Sequence, residues 1–331
     1  MKRLLLTFFL IGSFAVQAQV AQKRVVKLMG SRFDITIVAK DIPTANAYID
    51  TAIVEISRIE NLISEWMPHT QVSEINRNAG IKPVVVDQEL FDLTQRAIGF
   101  SKLTDGAFDI SFAAADKIWK YDGSMTSLPS PEEVKESVKK IGYQNIILDK
   151  EHRTIFLKLP GMKIGFGSIG KGYAADKTKE LMMEKGVIAG IINASGDMNT
   201  WGKQPDGKDW TIGITNPKNK DRIFAIFPLT DGAVVTSGSY EKFIEIDKKR
   251  YSHIIDPRTG YPASGLSSVT VFAKSAEMAN GISTSVMVLG KEVGMNLINQ
   301  IPQISAVIVT DNGKIIYSKN IDHKKLKRTN K

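Results

Sequence analysis

The segment KIGFGSIGKGYAAD, residues 163–176, limits the local fold more tightly than any other part of the sequence. It carries Gly165, Gly167, Gly170 and Gly172, together with Ser168 and Lys171. The apolar residues Met162, Ile164 and Phe166 lead in, and a helix-like run from Tyr173 to Glu184 leads out. This order predicts a strand, a glycine turn and a helix start. Glycines let the backbone approach a bulky anion, and the N–H groups of a first helical turn point at it. A phosphate-bearing ligand is therefore expected. Two common phosphate fingerprints fit only in part. Gly165, Gly167 and Gly170 match the dinucleotide spacing, but that fold also wants an acidic residue closing a second strand. Residues 189–194 supply none, and Asp197 comes late, in another glycine turn. Gly165, Gly170 and Lys171 match a P-loop spacing, yet Gly172 stands where a magnesium-binding Ser or Thr belongs. On this segment alone, a turn serving only chain geometry stays open.

The chain has 331 residues, 43% hydrophobic and 24% charged, which suits a soluble globular protein of one large or two ordinary domains. Lys2 and Arg3, the apolar run at 4–14 and the small residues around Ala18 read as an export signal, residues 1–18. The run falls short of the ~20 residues that span a bilayer, so the expected product is a soluble periplasmic protein beginning near Gln19. The sequence has no cysteine, which excludes disulfides, thiolate metal sites, cysteine nucleophiles and a lipid-acceptor thiol. Four histidines argue against a histidine-built zinc site. Net charge is +9, part of it in the tail at 319–331. That tail reads as a solvated end, or as a weak attraction to anionic membrane or partner surfaces. The sequence lacks a basic stripe interleaved with aromatics, so no nucleic-acid partner is expected.

Hydrophobic spacing predicts two strands across 25–38, broken at Met29-Gly30-Ser31, then a helix over 43–64 marked by Ile49, Ile53, Ile56, Ile59 and Ile63. A second helix covers 88–101 and runs into a turn, 104–109, whose aspartates suit backbone capping. A third helix opens at 129–133. Residues 145–149 and 154–159 read as a hairpin, 171–185 as helix and 187–192 as a buried strand. Strands follow at 210–215, 223–229, 233–236, 241–246 and 266–273. A helix over 275–289 puts Asn280 and Thr284 on one face. A helix at 293–299 and a hairpin of 304–309 with 314–317 close the chain. Strands and helices mix without strict alternation. The expectation is one α+β domain over 19–318, with mixed, largely antiparallel sheets flanked by helices.

Eight motifs stand in order: MGS at 29–31, SEW at 64–66, TDGAFD at 104–109, GFGSIGKGYAAD at 165–176, NASGD at 193–197, TSGSY at 236–240, HIIDPRTG at 253–260 and ANGIST at 279–284. Their order and spacing resemble the FAD:protein FMN transferases, the ApbE-type family once labelled thiamine-biosynthesis lipoproteins. The resemblance runs from about residue 29 to residue 289. It implies an ApbE-like, T-fold-like domain that binds FAD with Mg²⁺ and moves FMN onto a threonine of a target protein. The bond formed is a phosphoester, and AMP leaves. The implied partner is an acceptor protein bearing a flavinylated threonine, a membrane-associated redox subunit. Some relatives instead hydrolyse FAD to FMN and AMP, and a flavin-binding module without chemistry is a further alternative.

The resemblance also implies roles. Met29 and Trp66 line the flavin, and Ala107, Phe108 and Asp109 belong to a loop that contacts FAD. Gly165 and Lys171 belong to the FAD-binding stretch, and Ser168 matches a metal-binding position. Ser195, Gly196 and Asp197 lie near the phosphates or ribose, and Tyr240 and Ile254 match cofactor-binding positions. His253 is the candidate base, its ordinary pKa of ~6.5 lying near neutrality. A turn-stabilising hydrogen bond beside Pro257 is the other reading of that histidine. Asn280 and Thr284 match a helix pair that holds magnesium. Two departures stand out: the family usually has Asp at the positions of Gly165 and Asn280. Magnesium prefers carboxylate oxygens, so Asn280 offers a weaker ligand. Asp176, Asp197 and Asp256 are the carboxylates able to compensate.

Overall fold

The structure, a computed structural model, describes residues 19–217, 219–322 and 327–328. The expected export signal and most of the basic tail lie outside the described residues. In chain order the elements are β1 (Val20–Leu28), β2 (Ser31–Ala39), α1 (Ile42–Ile63), α2 (Gln71–Arg77), β3 (Val84–Val85), α3 (Gln88–Leu103), α4 (Pro131–Ser137), β4 (Ile146–Asp149), β5 (Thr154–Leu157) and α5 (Gly170–Glu184). They continue as β6 (Ala189–Ala194), β7 (Asp197–Trp201), β8 (Trp210–Asn216), β9 (Asn219–Leu229), β10 (Gly232–Gly238), β11 (Phe243–Ile246) and β12 (Lys249–Ser252). The last are β13 (Leu266–Ala273), α6 (Ala276–Gln300), β14 (Ser305–Thr310), β15 (Ile315–Tyr317) and β16 (Lys327–Arg328).

Eight strands form the main sheet in the order β1-β2-β6-β7-β10-β13-β14-β15, and every neighbouring pair is antiparallel. Alternation in β2 explains one face: Phe33, Ile35 and Ile37 are fully buried, while Arg32 and Asp34 point away. Helices α1, α5 and α6 cover that face, with Ile49 and Ile56 of α1 and Ile282 and Val286 of α6 in the same core. Each such side chain contributes about 1.5–3 kcal/mol on burial. Asp41 starts α1 by accepting a hydrogen bond from the Thr44 N–H at 2.7 Å. The β8–β9 ribbon packs on the opposite face, where the Phe227 and Phe272 rings lie 4.6 Å apart.

A second core forms where α1 overruns the sheet. Ile59 and Ile63 pack there with α3, the small sheet β3-β5-β4 and the apolar residues Met162, Ile164 and Phe166. Those three were expected on a strand. They lie instead on an extended segment outside any sheet, because a side chain replaces the neighbouring strand. Asn76 accepts from the Ile164 N–H at 2.8 Å and donates to its carbonyl at 3.0 Å. The Gly165 N–H goes to the Ile110 carbonyl at 2.9 Å. Two further expectations change. The helices at 275–289 and 293–299 run together as α6, broken only at Gly290, whose φ of 77° a glycine tolerates. Part of the basic tail also pairs with the fold: Lys327 and Arg328 lie opposite Ile226 and Ala225 on β9.

Candidate active site

The β6–β7 turn shows how the sequence shapes the site. Ser195 and Gly196 have φ of 54° and 100°, and Ala194 pairs with Asp197 across them. This is the two-residue turn that a right-twisted hairpin prefers. The Ser195 hydroxyl donates to the Arg32 carbonyl at 2.9 Å, and the Gly196 N–H goes to the Asn193 side chain at 2.8 Å. The turn thereby drops Asp197 into the interior at 3% exposure. Lys171, in the first turn of α5, puts Nζ 2.9 Å from Asp197 Oδ2. Burial pushes the Asp197 carboxyl up and the Lys171 ammonium opposes that shift. The start of α5 has no side-chain cap, but the Gly170 N–H already goes to the Phe166 carbonyl at 2.6 Å, so an anion beside that lysine would draw on the next N–H groups, those of Lys171 and Gly172.

Gly172 brings α5 against α6. A Cβ there would lie 2.4 Å from the Ala276 carbonyl oxygen, so only glycine admits this approach. One turn further along α6 sits Asn280, at 6% exposure, and its Oδ1 has no hydrogen-bond partner. Thr284 Oγ1 lies 3.4 Å from the Ser237 hydroxyl. Of the three carboxylates that could compensate for Asn280, two are already occupied. Asp176 accepts from the Ser275 hydroxyl and from the Ala276 and Glu277 N–H groups, capping α6, and also from Asn199. Asp256 is held by Arg258 at 2.9 and 2.8 Å. Asp197 Oδ2 accepts no hydrogen bond and has only the Lys171 charge beside it. Among the described residues no group of three or more His, Asp or Glu side chains gathers as a metal cage. An orphaned amide oxygen with hydroxyls nearby is an oxygen-donor set, which suits a hard cation shared with a ligand's phosphates.

None of Ser168, Lys171, Asp197, Asn280 and Thr284 is among the residues that line the main cavity, which has a volume of about 1010 Å³. That is the upper end of the roughly 300–1,000 Å³ typical of small-molecule sites, large enough for a dinucleotide. Trp66 and His253 line it together with Glu65, Lys117, Lys163 and Tyr121. Trp66 is 74% exposed, although Lys117 Nζ stands 4.6 Å from its ring centre. The hairpin β11–β12 delivers His253. Its Nδ1 lies 2.9 Å from the Lys242 carbonyl, and a carbonyl only accepts, so Nδ1 carries the proton. Nε2 is left as an unprotonated acceptor. Burial pushes the His253 imidazole below its ordinary pKa; the Lys242 and Lys171 charges push the same way, and the bond to the Lys242 carbonyl resists.

Several expected residues sit elsewhere. Ala107 and Phe108 are each 1% exposed, and Phe108 packs edge-on against Phe100 in the second core. Their side chains offer no surface to a ligand, so any contact from this loop comes through its backbone. Asp109 is spent on structure, accepting from the Ser111 N–H and hydroxyl and from the Tyr143 N–H. Met29 bridges both cores, and its N–H goes to Glu60 at 3.0 Å. Tyr240 is half-buried, its hydroxyl pushed up to about 12 by burial. Ile254 packs on the main core. Ser168 is half-buried at the mouth of α5. Sequence reasoning missed Glu65. A Cβ at residue 165 would lie 1.8 Å from Glu65 Oε2, so the Glu65 carboxylate fills the volume that a residue-165 side chain would take. The departure at Gly165 therefore leaves a carboxylate in place, supplied from 100 positions earlier in the chain.

Comparison with known proteins fits this geometry. The ApbE family profile matches residues 29–308. The chain belongs to the ApbE family. It is 33% identical over 293 residues to a protein of Klebsiella pneumoniae (strain 342) named FAD:protein FMN transferase, covering 88% of this chain and 90% of the relative. A Treponema pallidum protein of the same name is 29% identical, with 94% and 91% covered. Among solved structures, the ApbE protein of Thermotoga maritima superposes with a TM-score of 0.83 at 30% identity, covering 91% of this chain and 97% of that one. The flavinyl transferase ApbE of Pseudomonas stutzeri gives 0.80 at 27%, with 91% and 96% covered. The ApbE fold, a single α+β unit with antiparallel sheets, is thereby established for this chain.

Proposed function

We propose that this ApbE-family protein is an Mg²⁺-dependent FAD:protein FMN transferase whose acceptor is a threonine hydroxyl of an exported or membrane redox protein. The hydroxyl oxygen attacks the phosphorus of the FMN half of FAD. A phosphoester bond forms, the bond from that phosphorus to the bridging oxygen breaks, and AMP leaves with that oxygen. The proton of the hydroxyl goes to His253 Nε2. One observation carries the reading: Nδ1 of His253 is committed to the Lys242 carbonyl, so a neutral acceptor nitrogen belongs to a residue lining the cavity that also holds the exposed Trp66 ring. Lys171 and the uncapped start of α5 supply positive charge for a diphosphate. Asn280, Thr284 and Ser168 are the residues that would hold magnesium, which would neutralise charge on the diphosphate when bound.

Incubation with FAD, Mg²⁺ and an acceptor tests this directly. The expected products are a fluorescent acceptor and AMP; unlabelled acceptor beside intact FAD overturns the reading. AMP and free FMN in the absence of any acceptor would make the protein a hydrolase instead. We place the mature enzyme in the periplasm, on the strength of the charged start, apolar run and small-residue cleavage site of residues 1–18. Cell fractionation and N-terminal sequencing check this, with Gln19 expected as the first residue.

A further inference from the structure

Glu65 has a carboxylate without a partner. Its Oε2 is fully shielded from solvent and accepts no hydrogen bond, although the residue lines the main cavity. The surroundings explain why no protein donor reaches it. The N–H of Gly165, the residue whose Cβ position the carboxylate fills, already goes to the Ile110 carbonyl. The methyl of Ala113 closes another side, 3.1 Å from the point a residue-165 Cβ would take. Lys117 and Lys163 act on the carboxylate through charge, and neither donates a hydrogen bond to it. Burial raises its pKa, and the two lysines oppose that shift.

The backbone around Glu65 is fixed. The Glu65 carbonyl accepts from the Ser73 hydroxyl at 3.2 Å, and the Thr70 hydroxyl donates to the Ser64 carbonyl at 2.6 Å. A buried acceptor left unsatisfied is destabilising; Oε2 is shielded from a ligand as it is from water, so a donor in the cavity reaches this carboxylate through Oε1, which is not shielded in that way. Trp66 is the next residue and lines the same cavity, with most of its ring free. A planar ligand stacked on that ring would lie in the cavity that Glu65 also lines.

We propose that Glu65 is a specificity-determining residue that accepts a hydrogen bond from the imide N–H on the edge of the isoalloxazine ring. This rests on the FAD reading given above. Among FAD's groups, the imide N–H is the donor on the edge of the flavin ring, and the ribityl hydroxyls hang from its middle. The carboxylate sits where a side chain on residue 165 would otherwise stand, so the glycine at 165 is what admits it.

Titration with FAD and with FAD methylated at the imide nitrogen, without acceptor and followed by flavin fluorescence, tests the assignment. Wild type is expected to bind FAD about ten-fold or more tighter than the methylated analogue, as a site built around a hydrogen bond to a charged group discriminates. Glu65→Ala is expected to weaken FAD by a similar factor and to level the two ligands. Equal binding of both ligands by wild type, or an unchanged ratio in Glu65→Ala, overturns the proposal and leaves the FAD reading intact. Failure of wild type to bind FAD at all overturns both. Thermal melting supplies a check independent of ligand. Gly165→Ala is expected to lower the Tm of wild type clearly and to lower it far less in the Glu65→Ala background. Equal losses in the two backgrounds would show that the carboxylate does not occupy that volume, and the assignment would fall.

Discussion

With Nδ1 tied to the Lys242 carbonyl, His253 has one nitrogen free to take a proton, and burial favours its neutral form. A base works when it is unprotonated, above its pKa. Because that pKa is depressed, the acid limb of the rate profile is expected below the ordinary value of about 6.5, not above it. His253→Ala is expected to keep FAD binding and to lose on the order of 10²–10⁴ in turnover, the usual worth of a positioned base. Equal turnover in the variant would remove the proton-acceptor role. Asn280 gives a second residue-level expectation. Its orphaned oxygen carries no charge, so Asn280→Asp should tighten Mg²⁺ binding, measured by calorimetry or by the Mg²⁺ dependence of turnover. A carboxylate that left Mg²⁺ affinity unchanged would place the ion away from this turn of α6. Chelation of Mg²⁺ is expected to stop transfer.

At the scale of elements, the meeting of α5 and α6 rests on one glycine. Gly172→Ala would set a Cβ against the Ala276 backbone, which cannot rotate aside as a flexible side chain can. The expected cost is on the order of 1–3 kcal/mol of stability. FAD affinity should fall with it, since Lys171 and Asn280 sit on the two displaced helices; denaturant melts and FAD titration of the variant check both. A folded variant with wild-type affinity would mean the two helix starts do not share a ligand. Much of this level was legible in the sequence. The isoleucine spacing of α1, the hairpin at Asp149 and the capped start of α6 at Ser275 all follow local rules, and the structure keeps them. What was not legible depended on distance along the chain. The segment around Ile164 reads as a strand because it is apolar, and nothing local shows that Asn76, 88 positions away, serves as its partner. Strand β7, MNTW after Asp197, lacks a clear alternation and owes its place to pairing with β6 and β10. The Glu65–Gly165 exchange is of the same kind: a glycine reveals a missing side chain, but only the fold shows which distant residue fills the space.

At the scale of the molecule, the cavity is a boundary between separately built parts. One wall carries Glu65, Trp66 and Asn76, close in sequence to Ile63 and Ile75 of the second core. Another wall carries Trp119, which packs with Val134, Ile244 and Ile246 in a small cluster that joins the 116–138 region to hairpin β11–β12. Bonds that tie this part together include Trp119 Nε1 to the Gly260 carbonyl at 2.9 Å and the Tyr121 hydroxyl to the Ser252 carbonyl at 2.7 Å. A ligand that fills the cavity touches both walls, so its binding energy adds to the stability of the smaller part. FAD with Mg²⁺ at 100 times its Kd stabilises the folded state by about 2.7 kcal/mol, which for a chain of this size raises Tm by roughly 5 °C. Hydrogen exchange locates the effect. Amides of 112–123 and of 242–260 should gain protection together, because they form one wall with His253 on it. Protection confined to one of these segments would mean that the ligand does not span the cavity, and His253 would then lie too far from the diphosphate to take the acceptor's proton.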